Sequence, residues 1–339
     1  YKIVNLTTWV FIYIFLNNLF FINSILKILD ITSSFEKELL KKNVKLLIFF
    51  FVSWKSFLLN KINFTSTILD TSHIDFYGKR KFKEISIWVI IVREYLYKNV
   101  LPLSYKVITE SKDLKHKIVK LYKIKPSSII SVPNLPSLLL KNKNKIKIDK
   151  IKKVRKKFNI NNKFYLYPAQ FWEHKNHNII LEAVKKLNKK NKSINFIFCG
   201  KDKGCLNITL KKISEYNIEK NIKVIGYIKD NELHHLYKMS EGLVMPSYFG
   251  PTNIPPVEAW FFNIPVVYSS VNASHGLDAA VYFNPNSSSQ LIKCLSKLEN
   301  KKFKNQLISK GKIRLKSIKR ENIQGHAKFS SEIKNFKQI

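Results

Sequence analysis

The chain has 339 residues and a formal net charge of +37, with 60 Lys and Arg against 23 Asp and Glu. That length suits one large core or two ordinary ones, and 45% apolar content with only 9 glycines excludes a disordered or fibrous chain. The charge, almost all lysine, fits an anionic partner such as a membrane surface or a phosphorylated substrate. It equally fits general over-use of Lys, Asn, Ile and Phe, as from an AT-rich genome. No nucleic-acid-binding motif accompanies the lysines, so no specific nucleic-acid partner is expected.

In chain order, an apolar run from residues 9 to 29 comes first. Asn17, Asn18, Asn23 and Lys27 interrupt it, against the roughly 20 apolar residues that a spanning helix needs. No small-residue cleavage site marks it as a signal peptide. A membrane helix stays open beside buried core and a membrane-facing surface. The chain opens on Tyr1 rather than Met, and its N-terminal domain is expected to be incomplete. Residues 45–52 contain an apolar run suited to a buried strand. A second run, 64–69, ends in a polar loop that carries Asp70, His73 and Asp75. A helix is predicted over about 88–100 and a strand over 107–109. Ser111 then caps a helix with Leu114, Ile118 and Leu121 on one face, and a strand follows at 129–132. Pro133 and Pro136 break the pattern, and a lysine-dense stretch runs over 141–157.

The second half alternates cleanly. Short apolar runs at 164–167, 194–199, 222–225, 243–245, 265–268 and 281–283 read as strands. Between them lie helical patterns such as Ile180, Ala183, Val184, Leu187 and Leu233, Leu236, Tyr237. Alternating strands and helices imply an α/β fold with parallel sheets covered by helices on both faces. The expected division is an N-terminal domain 1–135, a lysine-rich linker 136–161 and a C-terminal domain 162–339. Ligands of such sheets bind at the carboxyl ends of the strands.

One segment carries the most chemistry: Ser247-Tyr-Phe-Gly-Pro-Thr-Asn-Ile-Pro-Pro-Val-Glu-Ala-Trp260. It follows a predicted strand. Asn253 suits an N-cap, and Pro255 and Pro256 suit a first helical turn, where a missing N–H costs nothing. Asn263 suits the left-handed residue that ends the helix. Backbone N–H groups around Thr252, Asn253 and Ile254, at the positive end of the helix dipole, suit a phosphate or diphosphate. Glu258, placed in the first turn, suits the vicinal hydroxyls of a ribose.

This segment resembles the donor-binding motif of retaining glycosyltransferases of family 4, the GT-B glycosyl transferases group 1, in a polysaccharide-biosynthesis subgroup with Phe-Gly-Pro-Thr-Asn-x-Pro-Pro-x-Glu-Ala. Glu258-Ala259 matches the second Glu of the family's Glu-x7-Glu pattern, while Gly250 stands at the first. Tyr167-Pro-Ala-Gln-Phe-Trp-Glu-His-Lys175 resembles the family segment Gly-Arg-x-x-x-x-Lys, whose Arg and Lys clamp the donor diphosphate. Lys175 matches the Lys and Gln170 replaces the Arg, leaving a neutral donor, about half as strong as a charged one. Ile68-Leu-Asp-Thr-Ser-His-Ile-Asp75, Arg93-Glu-Tyr-Leu-Tyr97 and Lys106-Val-Ile-Thr-Glu-Ser-Lys112 look like N-domain segments of the same subgroup. The family's opening βα unit, with its glycine-rich loop, is not recognisable.

The resemblance covers most of the chain and implies a GT-B architecture of two Rossmann-like domains facing a cleft. It implies transfer of a sugar from a nucleoside diphosphate donor to a glycan or lipid-linked acceptor. Glu258 and His73 would be the catalytic residues, with His73 facing the donor sugar. Lys175, Gln170, Thr252, Asn253, Ile254 and Glu258 would bind the donor. No metal or other cofactor is expected, since His174, His177, His234 and His235 lack a third ligand with clear spacing. His174 and His177 are assigned to helix entry, His234 and His235 to the surface. Cys199, Cys205 and Cys294 have neither metal nor redox spacing, which suits a reducing cytosol. The expected location is cytoplasmic, peripheral on the inner face of the cytoplasmic membrane. A non-catalytic nucleotide- or glycan-binding relative is the alternative, given Gly250 and Gln170.

Overall fold

The computed structural model describes residues 14–16, 18, 20, 21, 23–25, 27–79, 82, 84–135, 148–250 and 254–336. It divides into two compact units, Tyr1–Pro133 with Glu321–Ile339, and Asn134–Arg320. The sequence division at 135 and 162 is revised in two places. Helix Ile148–Lys157 packs on helix Asp230–Met239 and sends Val154 into the second core, so it is not a linker. Helix Lys301–Lys334 has no breaking residue at its middle, and its last part, from Glu321, belongs to the first unit.

The first unit has a four-stranded parallel sheet in the order β1 (Leu46–Phe49), β2 (Asn63–Ile68), β3 (Lys106–Thr109), β4 (Ile129–Ser131). The apolar run at 45–52 is a buried strand only in part. β1 is an edge strand, and Phe50 and Phe51 beyond it are exposed. Helix Lys112–Tyr122 starts as predicted, with Ser111 Oγ accepting from Leu114 N at 3.1 Å. Its buried face is Leu114, Ile118 and Tyr122 at i, i+4, i+8, and Leu121 is exposed. The aromatic ring, with more apolar area to bury, takes the inward place. Glu36 is wholly buried, and its Oε1 accepts the backbone N–H groups of Asn60, Lys61 and Ile62 at 2.7–2.8 Å.

The described residues among 14–28 are helical. Leu16 and Asn23 face the core, where Asn23 Nδ2 donates to Phe57 O at 2.6 Å. Ile14, Phe21, Ile25 and Ile28 are exposed. Among the described residues no helix is long and apolar enough to cross a membrane.

The second unit has a six-stranded parallel sheet. In chain order its strands are β5 (Tyr165–Pro168), β6 (Phe196–Cys199), β7 (Ile222–Val224), β8 (Gly242–Met245), β9 (Val266–Ser269) and β10 (Val281–Phe283). In space they run β10-β9-β8-β5-β6-β7. The chain starts in the middle, winds outward to β7, then returns to β8 and winds the other way. The order therefore reverses between β5 and β8, which pair directly through Tyr165↔Gly242 and Leu166↔Leu243. Loops leaving these two strands part to opposite faces and open a crevice at their carboxyl ends. The strands are almost wholly buried and enclosed by helices such as His177–Asn188 and Ser288–Lys297, in one continuous core.

Candidate functional site

Two segments meet at the β5/β8 reversal. After β5, residues 169–175 form a loop and a short turn that leads into helix His177–Asn188. Asn176 takes a left-handed conformation at the corner, and its side-chain amide donates to Pro246 O and Pro285 O at 3.3 and 2.8 Å. After β8, the loop through Ser247–Gly250 leads toward helix Ile254–Phe261. Tyr248 N donates to His174 O at 3.0 Å, and the Phe249 ring lies 4.2 Å from that of His174. The turn bearing Lys175 and the loop bearing Gly250 are thus joined.

Neighbouring loops stiffen this edge. Phe171 N donates to Lys201 O at 3.0 Å, and Gly200 N to Gly226 O at 2.9 Å. Gly200 is required by contact, because a Cβ there would sit 2.2 Å from Ala169 O. Gly200-Lys-Asp202 is structural as expected, with Asp202 Oδ1 accepting from Gly204 N and Leu206 N. The exposed Gln170 accepts from Trp172 Nε1 at 2.9 Å through Oε1, which leaves its NH2 as the donor toward a ligand. Lys175 is half-buried and its carbonyl accepts from Tyr167 OH.

Glu258 is buried on helix Ile254–Phe261, and its Oε2 accepts from Tyr237 OH at 2.7 Å. Burial pushes its carboxyl up to about 7, although the Tyr237 hydrogen bond pulls the other way. Burial, with Glu258 alongside, holds the Tyr237 hydroxyl well above its usual range. Two placements change here. The helix begins at Ile254, so Glu258 is in its second turn, because Ile254, Pro255 and Pro256 fill the first. The two prolines also remove two N–H groups from that first turn, which leaves Ile254 as its leading amide. Thr252 and Asn253 lie outside the described residues. Asn263 ends the helix at φ 59° as expected. Gly250 has φ 142°, a region that disfavours every side chain.

His73 is not in an open loop. It lies in the first turn of helix Ser72–Lys79 in the first unit and has no exposed surface, because the helix begins directly after the strand. Its Nε2 is 3.0 Å from Glu94 Oε2, which also accepts from Tyr122 OH at 2.7 Å. The His73 hydrogen bond holds the Glu94 carboxyl below its usual range. Beside it, Arg93 pairs with Asp70 at 2.9 Å.

His177 enters its helix as expected, stacked on Phe171 at 4.4 Å, and burial pushes it down to about 3, so it is neutral. His235 is not on the surface. It is buried, with its ring bonded to Asn231 O, because it lies one residue before Leu236 on the inward face. Among the described residues no three His, Cys, Asp or Glu side chains gather in a metal-binding group. The sequence had given no role to Tyr237 or Asn176. Tyr237 stood in an apolar stripe where a buried hydroxyl needs a partner, and Asn176 sat between a strand and a helix.

Solved structures share the fold. A glycosyltransferase from Rickettsia africae superposes with TM-score 0.68 at 15% identity, covering 99% of this chain and 84% of that one. Sucrose-phosphate synthase from Thermosynechococcus elongatus gives 0.70 at 14% identity, covering 89% and 77%. Anabaena HepE in complex with UDP gives 0.66 at 15% identity, covering 87% and 82%. The fold is GT-B. Residues 149–314 match the family model of glycosyl transferases group 1. A curated relative, the O-antigen chain mannosyltransferase RfbU of Salmonella typhimurium, is 26% identical over 201 residues. That match takes in 57% of this chain and 52% of RfbU, so the chain spans about half the length of the curated relative.

Proposed function

We propose that this GT-B protein is a retaining glycosyltransferase of family 4 type. It takes a sugar from a nucleoside diphosphate donor and transfers it to a glycan or lipid-linked acceptor in cell-surface polysaccharide synthesis. The observation that carries this is the β5/β8 reversal, where the Lys175 turn and the loop through Tyr248 and Phe249 are bonded at the strand ends. Glu258 accepts the ribose hydroxyls. Lys175 and the Gln170 amide hold the diphosphate, helped by backbone N–H groups around Thr252–Ile254. The leaving diphosphate gains negative charge as the glycosidic bond breaks, and fixed donors stabilise that charge most in the transition state. The acceptor attacks from the face the diphosphate leaves, and a phosphate oxygen takes its proton. His73, with no exposed surface and its Nε2 on Glu94, is given no contact with the sugar in this reading. No metal is assigned a role.

The exposed stripe Ile14, Phe21, Ile25, Ile28, beside a strongly cationic chain, supports peripheral docking on the inner face of the cytoplasmic membrane. Gly250 and Gln170 favour one second reading, a relative that binds nucleotide or glycan without turnover. The test is a thermal-shift panel of UDP-, GDP-, ADP- and dTDP-sugars, followed by a transfer and hydrolysis assay with the donor that binds. Stabilisation by one donor, lost in Glu258→Ala, is expected. No shift with any donor refutes the proposal, and binding without transfer or hydrolysis favours the second reading.

A further inference from the structure

The first unit has a pocket that is not used in the chemistry above. It is a cavity of ≈ 300 Å³ lined by Lys112, Lys115, His116, Glu321, Lys328 and the edge strand from Ile129 to Ser131. Lys112, Lys115 and His116 share a face of helix Lys112–Tyr122 at i, i+3 and i+4. Glu321, Gly325 and Lys328 share a face of helix Lys301–Lys334 at i, i+4 and i+7. Gly325 lets the two faces close, since a Cβ there would meet Ser131 O at 2.4 Å.

The charges are badly balanced. Three lysines line the pocket and one glutamate answers them, with Glu321 at 4.0 Å from Lys112. Lys115 is half-buried and fixed, its Nζ donating to Ile129 O at 2.9 Å. Burial, then the nearby Lys328, lowers its hold on a proton. Lys112 and Lys115 also begin their helix, where the dipole disfavours cations and favours anions. Like charges gathered on the wrong end of a helix are destabilising by themselves, and a doubly charged anion among them reverses the sign.

We propose that this pocket binds a phosphate dianion, free or carried by a lipid headgroup, through Lys112, Lys115 and Lys328. The site is independent of the glycosyltransferase proposal, and its test is arranged to stay so. The full chain carrying Lys175→Ala is titrated calorimetrically with inorganic phosphate and with dihexanoyl phosphatidic acid. That background removes the lysine assigned to the donor diphosphate. One saturable site is expected for at least one ligand. Adding Lys328→Gln, an exposed position that leaves folding intact, weakens it about tenfold or more, and Lys115→Gln adds a similar loss. Lys301→Gln with Lys302→Gln, far along the same helix, leaves it unchanged. Binding of phosphatidic acid alone assigns the site to a headgroup, and binding of both assigns it to phosphate itself. No saturable binding overturns the proposal, as does equal weakening by the Lys301/Lys302 pair, which marks diffuse attraction.

Discussion

Glu258→Gln separates the fold's view of this side chain from the ligand's. Burial lifts its carboxyl from 4.5 to about 7, so ionising it in place costs about 3 kcal/mol more than in the unfolded chain. The folded pKa is raised, so between these two values the native state keeps a proton that the unfolded chain has released. Stability from this group is complete below 4.5, falls as pH rises through the window, and stays low above about 7. Glutamine cannot ionise and still accepts from Tyr237. The variant should therefore gain on the wild type by up to about 3 kcal/mol between roughly pH 4.5 and pH 8. Urea denaturation across that range, following the transition of the second unit through buried Trp260, measures the gap. Ligand binding runs the other way, because ribose hydroxyls donate to the carboxylate. The affinity of wild type for a sugar nucleotide should rise toward pH 7 and level off, being about tenfold weaker near pH 6 than near pH 8. A stability gap that does not change with pH would show that this carboxyl is not held proton-bound by burial.

Four further outcomes follow from named contacts. Lys175→Ala should weaken binding of a nucleoside diphosphate far more than of the nucleoside, by calorimetry, and equal losses would take the lysine off the phosphates. Gly200→Ala should destabilise the second unit by about 1–3 kcal/mol or more, since the clash is with the Ala169 backbone and not a movable side chain; an unchanged urea midpoint would contradict it. Glu36→Ala leaves three backbone N–H groups without their acceptor, and should cost the first unit at least about 3 kcal/mol in chemical denaturation. Gly250→Glu should not raise transfer, because φ 142° strains any side chain there; a clear gain in kcat would mean that the loop adapts and that the carboxylate is missed.

The second unit was the more legible. Most of its strands are short continuous apolar runs, and β6, β8 and β9 are buried on both faces, so there burial and sequence carry the same information. The first unit was harder to read because its elements are half-exposed. The run at 45–52 mixes an edge strand with two exposed phenylalanines, and composition cannot tell a buried Phe from an exposed one. Leu121 and Tyr122 are adjacent, and helical period alone does not decide which faces inward. His73 failed for a related reason: polar neighbours at 70–75 read as a loop, yet Asp70 Oδ1 accepts from Ser72 N and starts a helix there. The long final helix, shared between units, leaves no sequence boundary to find.

At the proposed donor site, the sequence names candidate residues, and the structure shows how some of them are held. Two departures from the family pattern, and one feature of the motif itself, point the same way. Gln170 substitutes an amide for a cation and is oriented by Trp172. Gly250 substitutes backbone freedom for a carboxylate. Pro255 and Pro256 take N–H groups away from the helix tip and leave that of Ile254. In the proposed site each of these would move recognition from charged side chains to neutral and main-chain groups, with Lys175 as the principal charge assigned to the diphosphate. Neutral donors are weaker singly, so such a site must gain from rigidity what it lacks in charge. The bonds from Phe171 to Lys201, Gly200 to Gly226 and Tyr248 to His174 supply that rigidity, since they tie four successive strand-end loops into one frame. Loosening any of those ties should therefore damage donor binding as surely as removing a residue that touches the ligand.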